Sequence, residues 1–268
     1  MKPKTPQLVI ALDLPSLEQN LQIARVVGEK MRAETHISHS SNIWLKVGLR
    51  AFIRDGKLGL EQIRRESGAR IFLDLKLYDI PNTMADAAQE CAALGVDMIT
   101  LHASAGAHGM RAVMERLDRH NQHMLVMAVS ALTSFDDESF ARVYGCGVDS
   151  GVRALSNLAA DSGVSGIVCS PLESSTIKSA HPNLLTLTPG IRPAPESSPQ
   201  DSGDSGVSAK PDDQKRIATI TQAAQAQADF LVIGRPIYYS HNPAAAIESA
   251  LAQINHASKH LAKNENPL

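Results

Sequence analysis

Short apolar runs alternate along the chain with longer stretches of helical periodicity. The runs are QLVIAL (7–12), IWLKVG (43–48), RIFLDLK (70–76), MITLHA (98–103), MLVMAVS (124–130), GIVCS (166–170), LLTLTP (184–189) and FLVIG (230–234), eight in all. Each has the length of a strand. Between them, ADAAQECAALG, RAVMERLDR and VRALSNLAADSG repeat apolar residues at helical spacing, the last two ending in or near helix-terminating residues. Eight βα units predict a closed parallel barrel. A doubly wound open sheet fits the same alternation locally, but even spacing without a Gly-rich dinucleotide fingerprint favours closure. The expected fold is therefore α/β, a TIM (β/α)8 barrel.

Two segments break the rhythm. RAETHISHSSN (32–42) is a polar insert before the second strand, on the barrel's N-terminal face, and reads as a surface loop. Its His36 and His39 lack the carboxylate or cysteine cluster that would make them metal ligands. The second segment, at about 192–215, is rich in Pro, Ser, Gly and Asp and follows the seventh strand on the catalytic face. Such a stretch is either a connector or a lid.

At 268 residues the chain is close to the roughly 250 typical of one such barrel, so a single domain over 1–268 is expected. Hydrophobic residues make up 43% and aromatics only 4%, which leaves the core to aliphatic side chains. A net charge of -2 lacks the basic excess of a nucleic-acid binder, so any bound phosphate is held locally. Cys91, Cys146 and Cys169 form no CxxC pair, which argues against a disulfide framework and a zinc site and for a reducing compartment. The opening MKPKTPQLVIALDLP has an apolar stretch broken by Asp13 and Pro15; it reads as neither signal peptide nor membrane span, and the expected location is the cytoplasm.

The chemistry concentrates on the third strand. In IFLDLKLYDIPNT, Asp74 and Lys76 lie two residues apart and share one face, while Leu73 and Leu75 share the other, so the charged face is the lumen. Lys46 sits near the end of the second strand and Asp79 just beyond the third, which predicts two lysines and two aspartates at the lumen rim. Burying such charges is costly unless they pair or serve chemistry, and barrel active sites lie at this end. Taken alone, Asp-x-Lys on a strand reads better as part of a structural ion-pair network closing the barrel top, and Asp79 before Pro81 fits a helix N-cap. Gly190 with Arg192 and Gly234 with Arg235 follow strands seven and eight, the usual phosphate-binding loops of barrels, where a guanidinium suits phosphate. A rim salt bridge is the plainer alternative for either arginine.

The string DLKLYDIPNT, with Asp74, Lys76, Asp79, Pro81 and Thr83, resembles the signature of the orotidine 5'-phosphate decarboxylase family. The likeness extends in family order through VIALD at Asp13, WLKVG at Lys46, HAS at 102–104, ALTS at 131–134, TPGIRP at 188–193, DDQKR around Gln214 and VIGRP around Arg235. It implies decarboxylation of orotidine 5'-phosphate to uridine 5'-phosphate, the last step of de novo UMP synthesis, without cofactor or metal. By this resemblance Lys46, Asp74, Lys76 and Asp79 form the catalytic array, with Lys76 the proton donor. Asp13 would bind the ribose, Thr133 the pyrimidine, Gln214 both base and phosphate, and Arg192, Gly234 and Arg235 the phosphate end. Ile80 also belongs to the implied substrate-binding set, and Asp79 and Thr83 would reach the site of a second subunit, implying a homodimer. Two departures stand out: Ala105 where many relatives carry glycine, with Gly106 beside it, and a longer loop before Gln214.

The nearest rival is the sister group of magnesium-dependent barrels resembling 3-keto-gulonate 6-phosphate decarboxylase, which share the Asp-x-Lys-x-x-Asp motif. They bear a carboxylate pattern on the second strand, where this chain has Lys46, whose charge would repel magnesium. A barrel that only binds nucleotide phosphates would not require Lys46, Asp74, Lys76 and Asp79 together.

Overall fold

All eight apolar runs become barrel strands. The computed structural model describes residues 5–33, 43–193 and 216–264. The strands, in chain order, are β1 (Gln7–Ala11), β2 (Ile43–Gly48), β3 (Arg70–Leu77), β4 (Met98–His102), β5 (Leu125–Val129), β6 (Gly166–Val168), β7 (Leu185–Thr188), β8 (Ile191–Arg192), β9 (Ala218–Thr219) and β10 (Phe230–Ile233). The closed barrel runs β1-β10-β7-β6-β5-β4-β3-β2, every neighbouring pair parallel. The short pair β8 and β9 forms a separate two-stranded parallel sheet above β7, an element with no counterpart in the apolar pattern.

The helices return the chain outside the barrel: α1 (Leu17–Ala33), α2 (Leu49–Ser67), α3 (Pro81–Ala93), α4 (Gly106–Arg119), α5 (Asp137–Tyr144), α6 (Val148–Asp161), α7 (Pro171–Ala180), α8 (Ile220–Gln225), α9 (Arg235–Tyr238) and α10 (Pro243–Asn264). Because α1 continues to Ala33, the first two residues of the polar insert are helical; His36 and His39 lie outside the described residues. Ile80, with Pro81 at the first helical position, is the N-cap of α3, so Asp79 is not the cap. Among the described residues no helix is long and apolar enough to cross a membrane.

Strands buried on both faces supply two cores. Outward-facing residues such as Leu8, Ile10, Leu45, Ile71, Leu73 and Ile99 pack beneath the helices. Inward-facing Val9, Trp44, Phe72, Met98, Met127 and Phe230 fill the lumen. Trp44 meets Phe230 edge to face at 5.5 Å, donates its indole N–H to Gln7 Oε1 at 2.6 Å, and lies 5.1 Å from the Arg70 guanidinium. Gly166 makes that plug possible, since a Cβ there would sit 2.4 Å from the Leu185 carbonyl oxygen and 2.5 Å from the Met127 methyl. The lumen's lower half is filled, and the lumen opens into a cavity at the strands' C-terminal ends.

Candidate active site

Two residues above the plug, the same strands switch from apolar to charged. Trp44 is followed on its face of β2 by Lys46, Phe72 on β3 by Asp74 and Lys76, and Met98 on β4 by Thr100, as the period of two requires. They floor a cavity of about 540 Å³ at the C-terminal end of the barrel. Asp74 is its hub. Its Oδ1 accepts from the Lys76 ammonium and from the Thr100 hydroxyl, both at 2.8 Å, and its Oδ2 lies 3.6 Å from Lys46 Nζ. Lys46 in turn reaches Asp13 Oδ1 at 3.3 Å. The result is a string of alternating charge, Asp13, Lys46, Asp74, Lys76, with no net charge.

The string perturbs its own members. Burial works against ionisation of Asp74, but the Lys46 and Lys76 charges, with hydrogen bonds from Lys76 and Thr100, together hold the carboxyl below its usual range. Burial also opposes the Lys46 ammonium, and the Asp74 and Asp13 carboxylates outweigh it, raising that pKa above its ordinary value. His102, next on the same face of β4, is lowered by burial and by Lys76. Gly48, which follows Lys46 on the lumen side, leaves room for the first pair: a Cβ there would sit 3.2 Å from both Asp13 Oδ1 and Lys46 Nζ.

Lys76 is held in an uncommon backbone conformation. Its φ is +54°, in the left-handed region, and among the described residues it is the strand residue of three non-glycines with positive φ, Asn121 and Gln227 being in turns after helices. The cause is a bulge: β3 advances from Leu73 to Leu77 while its partner advances only from Ile99 to Leu101. Such a conformation costs about 1–3 kcal/mol and collects at functional sites.

Arg192 and Arg235 line the opposite part of the cavity together with Gly190 and Gly234. Arg235 opens the short helix α9, directly after the eighth barrel strand. Thr133, also lining the cavity, sits on the loop after β5. A partly buried ion pair between Arg216 and Glu173 braces that loop, since Arg216 also donates to the carbonyls of Ala131 at 3.3 Å and Leu132 at 3.1 Å.

One cavity thus gathers Asp13, Lys46, Asp74, Lys76, Thr133, Arg192, Gly234 and Arg235. Asp79 is not among its lining residues, so the second aspartate of the rim within one chain is Asp13. The chain turns outward after Leu77: Tyr78, Asp79 and Ile80 are exposed, Asp79 Oδ1 accepts from the Ile80 N–H at 2.7 Å, and Thr83 stands exposed on the first turn of α3. Gln214 lies outside the described residues. Sequence reasoning missed Thr100, Arg50 at the cavity wall, and Tyr238, whose half-buried hydroxyl is pushed up to about 12 by burial and the Asp13 charge. For Thr100 a signal existed: it shares strand parity with Met98 and His102.

Comparison with known proteins agrees with this geometry. Residues 6–250 match the model of the orotidine 5'-phosphate decarboxylase / HUMPS family. The orotidine 5'-phosphate decarboxylase of Sulfurimonas denitrificans is 46% identical over 250 residues, covering 92% of this chain and all of that protein. That of Campylobacter jejuni serotype O:23/36 is 45% identical over 249 residues, with the same coverage. Among solved structures, the orotidine 5'-phosphate decarboxylase of Lactobacillus acidophilus superposes with a TM-score of 0.71 at 28% identity, covering 93% of this chain and 99% of that one. The Methanocaldococcus jannaschii enzyme in complex with the inhibitor BMP shares the fold at 20% identity and a TM-score of 0.68. A match of this length, carried by a barrel whose strand ends converge on one cavity, means that the chain belongs to the orotidine 5'-phosphate decarboxylase / HUMPS family.

Proposed function

We propose that this protein decarboxylates orotidine 5'-phosphate to uridine 5'-phosphate and CO2 in the cytoplasm, using fixed charges and no cofactor. The observation that carries this reading is the ammonium of Lys46 between Asp13 and Asp74, with Lys76 on the far oxygen of Asp74. A cation in that place disfavours the magnesium-dependent sister chemistry, because the carboxylates a metal would need are already neutralised. The relatives' names and the two arginines across the cavity support a nucleotide substrate.

In this mechanism the phosphate sits at Arg192, Gly234 and Arg235, the ribose at Asp13 and Lys46, and the pyrimidine near Thr133. Carbon 6 then lies over Asp74 and Lys76. As the bond to the carboxylate breaks, its electron pair stays on carbon 6, in the ring plane, where no π system delocalises it. The Lys76 ammonium stabilises that charge and then donates its proton to the carbon. Repulsion between Asp74 and the departing carboxylate raises the energy of the bound substrate. The stabilisation required is towards the upper end of the roughly 8–23 kcal/mol that enzymes supply, more than one lysine provides. Contacts to the remote phosphate therefore contribute binding energy to closure and exclusion of water.

A second copy would complete the site with Asp79 and Thr83. Supporting this, Tyr78 and Ile80 flank Asp79 at 63% and 67% exposure, apolar surface that a homodimer would cover.

The deciding experiment follows the ultraviolet absorbance of orotidine 5'-phosphate after the protein is dialysed against a chelator, with Lys76→Ala as control. Conversion by the wild type alone is the expected result. No conversion, with magnesium-dependent turnover of a keto-sugar phosphate instead, would overturn the proposal.

A further inference from the structure

The bulge on β3 removes the Lys76 N–H from the regular ladder and leaves the residue in the left-handed region, so something outside the backbone must hold it there. That partner is Thr100. Its Oγ1 accepts from the Lys76 N–H at 2.9 Å, while its own proton goes to Asp74 Oδ1 at 2.8 Å. Thr100 is 1% exposed, which shields both bonds from competing water. A hydroxyl has one proton to give, and here its direction is fixed by the acceptor, which turns the lone pairs toward the amide. One side chain thus ties the backbone of the ammonium-bearing residue to the carboxylate that the ammonium touches.

We propose that Thr100 is a positioning residue for the decarboxylation: it sets the left-handed backbone of Lys76 and the orientation of the Asp74 carboxylate as one unit. This inference rests on the reaction proposed above. Without the hydroxyl, Lys76 relaxes toward ordinary strand geometry and its ammonium leaves the place where carbon 6 reacts. Substrate affinity, set largely by the arginines across the cavity, changes little. Displacements of about 1 Å at a reacting group cost on the order of 100-fold in rate.

The test compares Thr100→Val, which keeps the shape and removes the hydroxyl, with Thr100→Ser, which keeps the hydroxyl. Thr100→Val is expected to lower kcat by about 10- to 100-fold with KM for orotidine 5'-phosphate within about threefold of wild type. Thr100→Ser is expected to retain kcat within about threefold. A second readout is independent of turnover: titration of the Asp74 carboxyl followed by carbon-13 NMR. Asp74 is faced by Lys46 from β2, Lys76 from β3, His102 from β4 and, beyond Lys46, Asp13 from the end of β1. With these unchanged, losing a hydrogen bond to the ionised form moves its titration upward in Thr100→Val and not in Thr100→Ser. Equal impairment of the two variants, wild-type kcat in Thr100→Val, or an unmoved Asp74 titration would overturn the assignment. If Thr100→Val fails to fold, Thr100→Ala makes the same comparison. Should the wild type prove inactive on the nucleotide, the reaction proposal fails on its own and the Asp74 titration still decides whether Thr100 sets the carboxylate.

Discussion

The lower and upper halves of the lumen are built on the same strands, one pleat apart, and obey opposite rules. Below, Trp44, Phe72, Met98, Met127 and Phe230 interlock as an apolar plug. Above, Lys46, Asp74, Lys76 and Thr100 hold two ammoniums and a carboxylate where each lysine or aspartate alone would be costly to bury. The plug stabilises through area removed from water and tolerates relaxation. The string depends on partners in place, because removing one member leaves another buried and less compensated. On the proposed reading, stability therefore resides mainly at the floor and chemistry at the rim.

The largest expected effect tests the rim: Lys76→Ala should reduce kcat/KM on orotidine 5'-phosphate by at least about 10⁴-fold, read by absorbance, with the barrel still folded by circular dichroism. The reverse is expected at the floor. Trp44→Ala should lower unfolding free energy by about 3–5 kcal/mol in urea titrations while folded molecules keep kcat within about threefold. A large loss of kcat there would show that the two halves are not separable. Next in size, Arg235→Ala should lose on the order of 100-fold more activity on the nucleotide than on the phosphate-free nucleoside; equal losses would break the assignment of the phosphate end.

The smallest effect concerns pH. The depressed Asp74 carboxyl contributes stability that is present above its unfolded value, about 3.9, and is lost as pH falls through the folded one. The raised Lys46 ammonium contributes stability present below about 10.4 and lost as pH rises through its folded value. Urea midpoints measured across pH should therefore fall at both extremes, with the acid limb flattened in Asp74→Asn and the alkaline limb flattened in Lys46→Met.

Much of this was legible in advance for a physical reason. Strands covered on both faces read as unbroken apolar runs, and the period of two places Asp74 and Lys76 on one side whatever the tertiary details. Other features left little trace. Alternation along RIFLDLK says nothing of the bulge that turns Lys76 to positive φ, since the cause lies in the offset against β4. Asp79 lies just beyond the third strand and is expected at the rim, but the strand ends at Leu77 and the chain turns out. Arg216 and Glu173 meet across 43 positions that no local pattern links. Thr100 carries no mark in the sequence beyond its strand parity, because its importance depends on which neighbours its hydroxyl finds.

Trp44 is the chain's sole tryptophan, 2% exposed and set edge to face against Phe230 at the barrel floor. Its fluorescence is a built-in gauge of barrel closure: emission from a dry, aromatic surrounding shifts to longer wavelength when water enters on unfolding. Excitation at the red edge of indole absorption avoids the tyrosines and most of the absorbance of a pyrimidine ligand. A shift to longer wavelength in a rim variant would thus report an opened barrel, and an unchanged spectrum beside a dead enzyme would report chemistry alone.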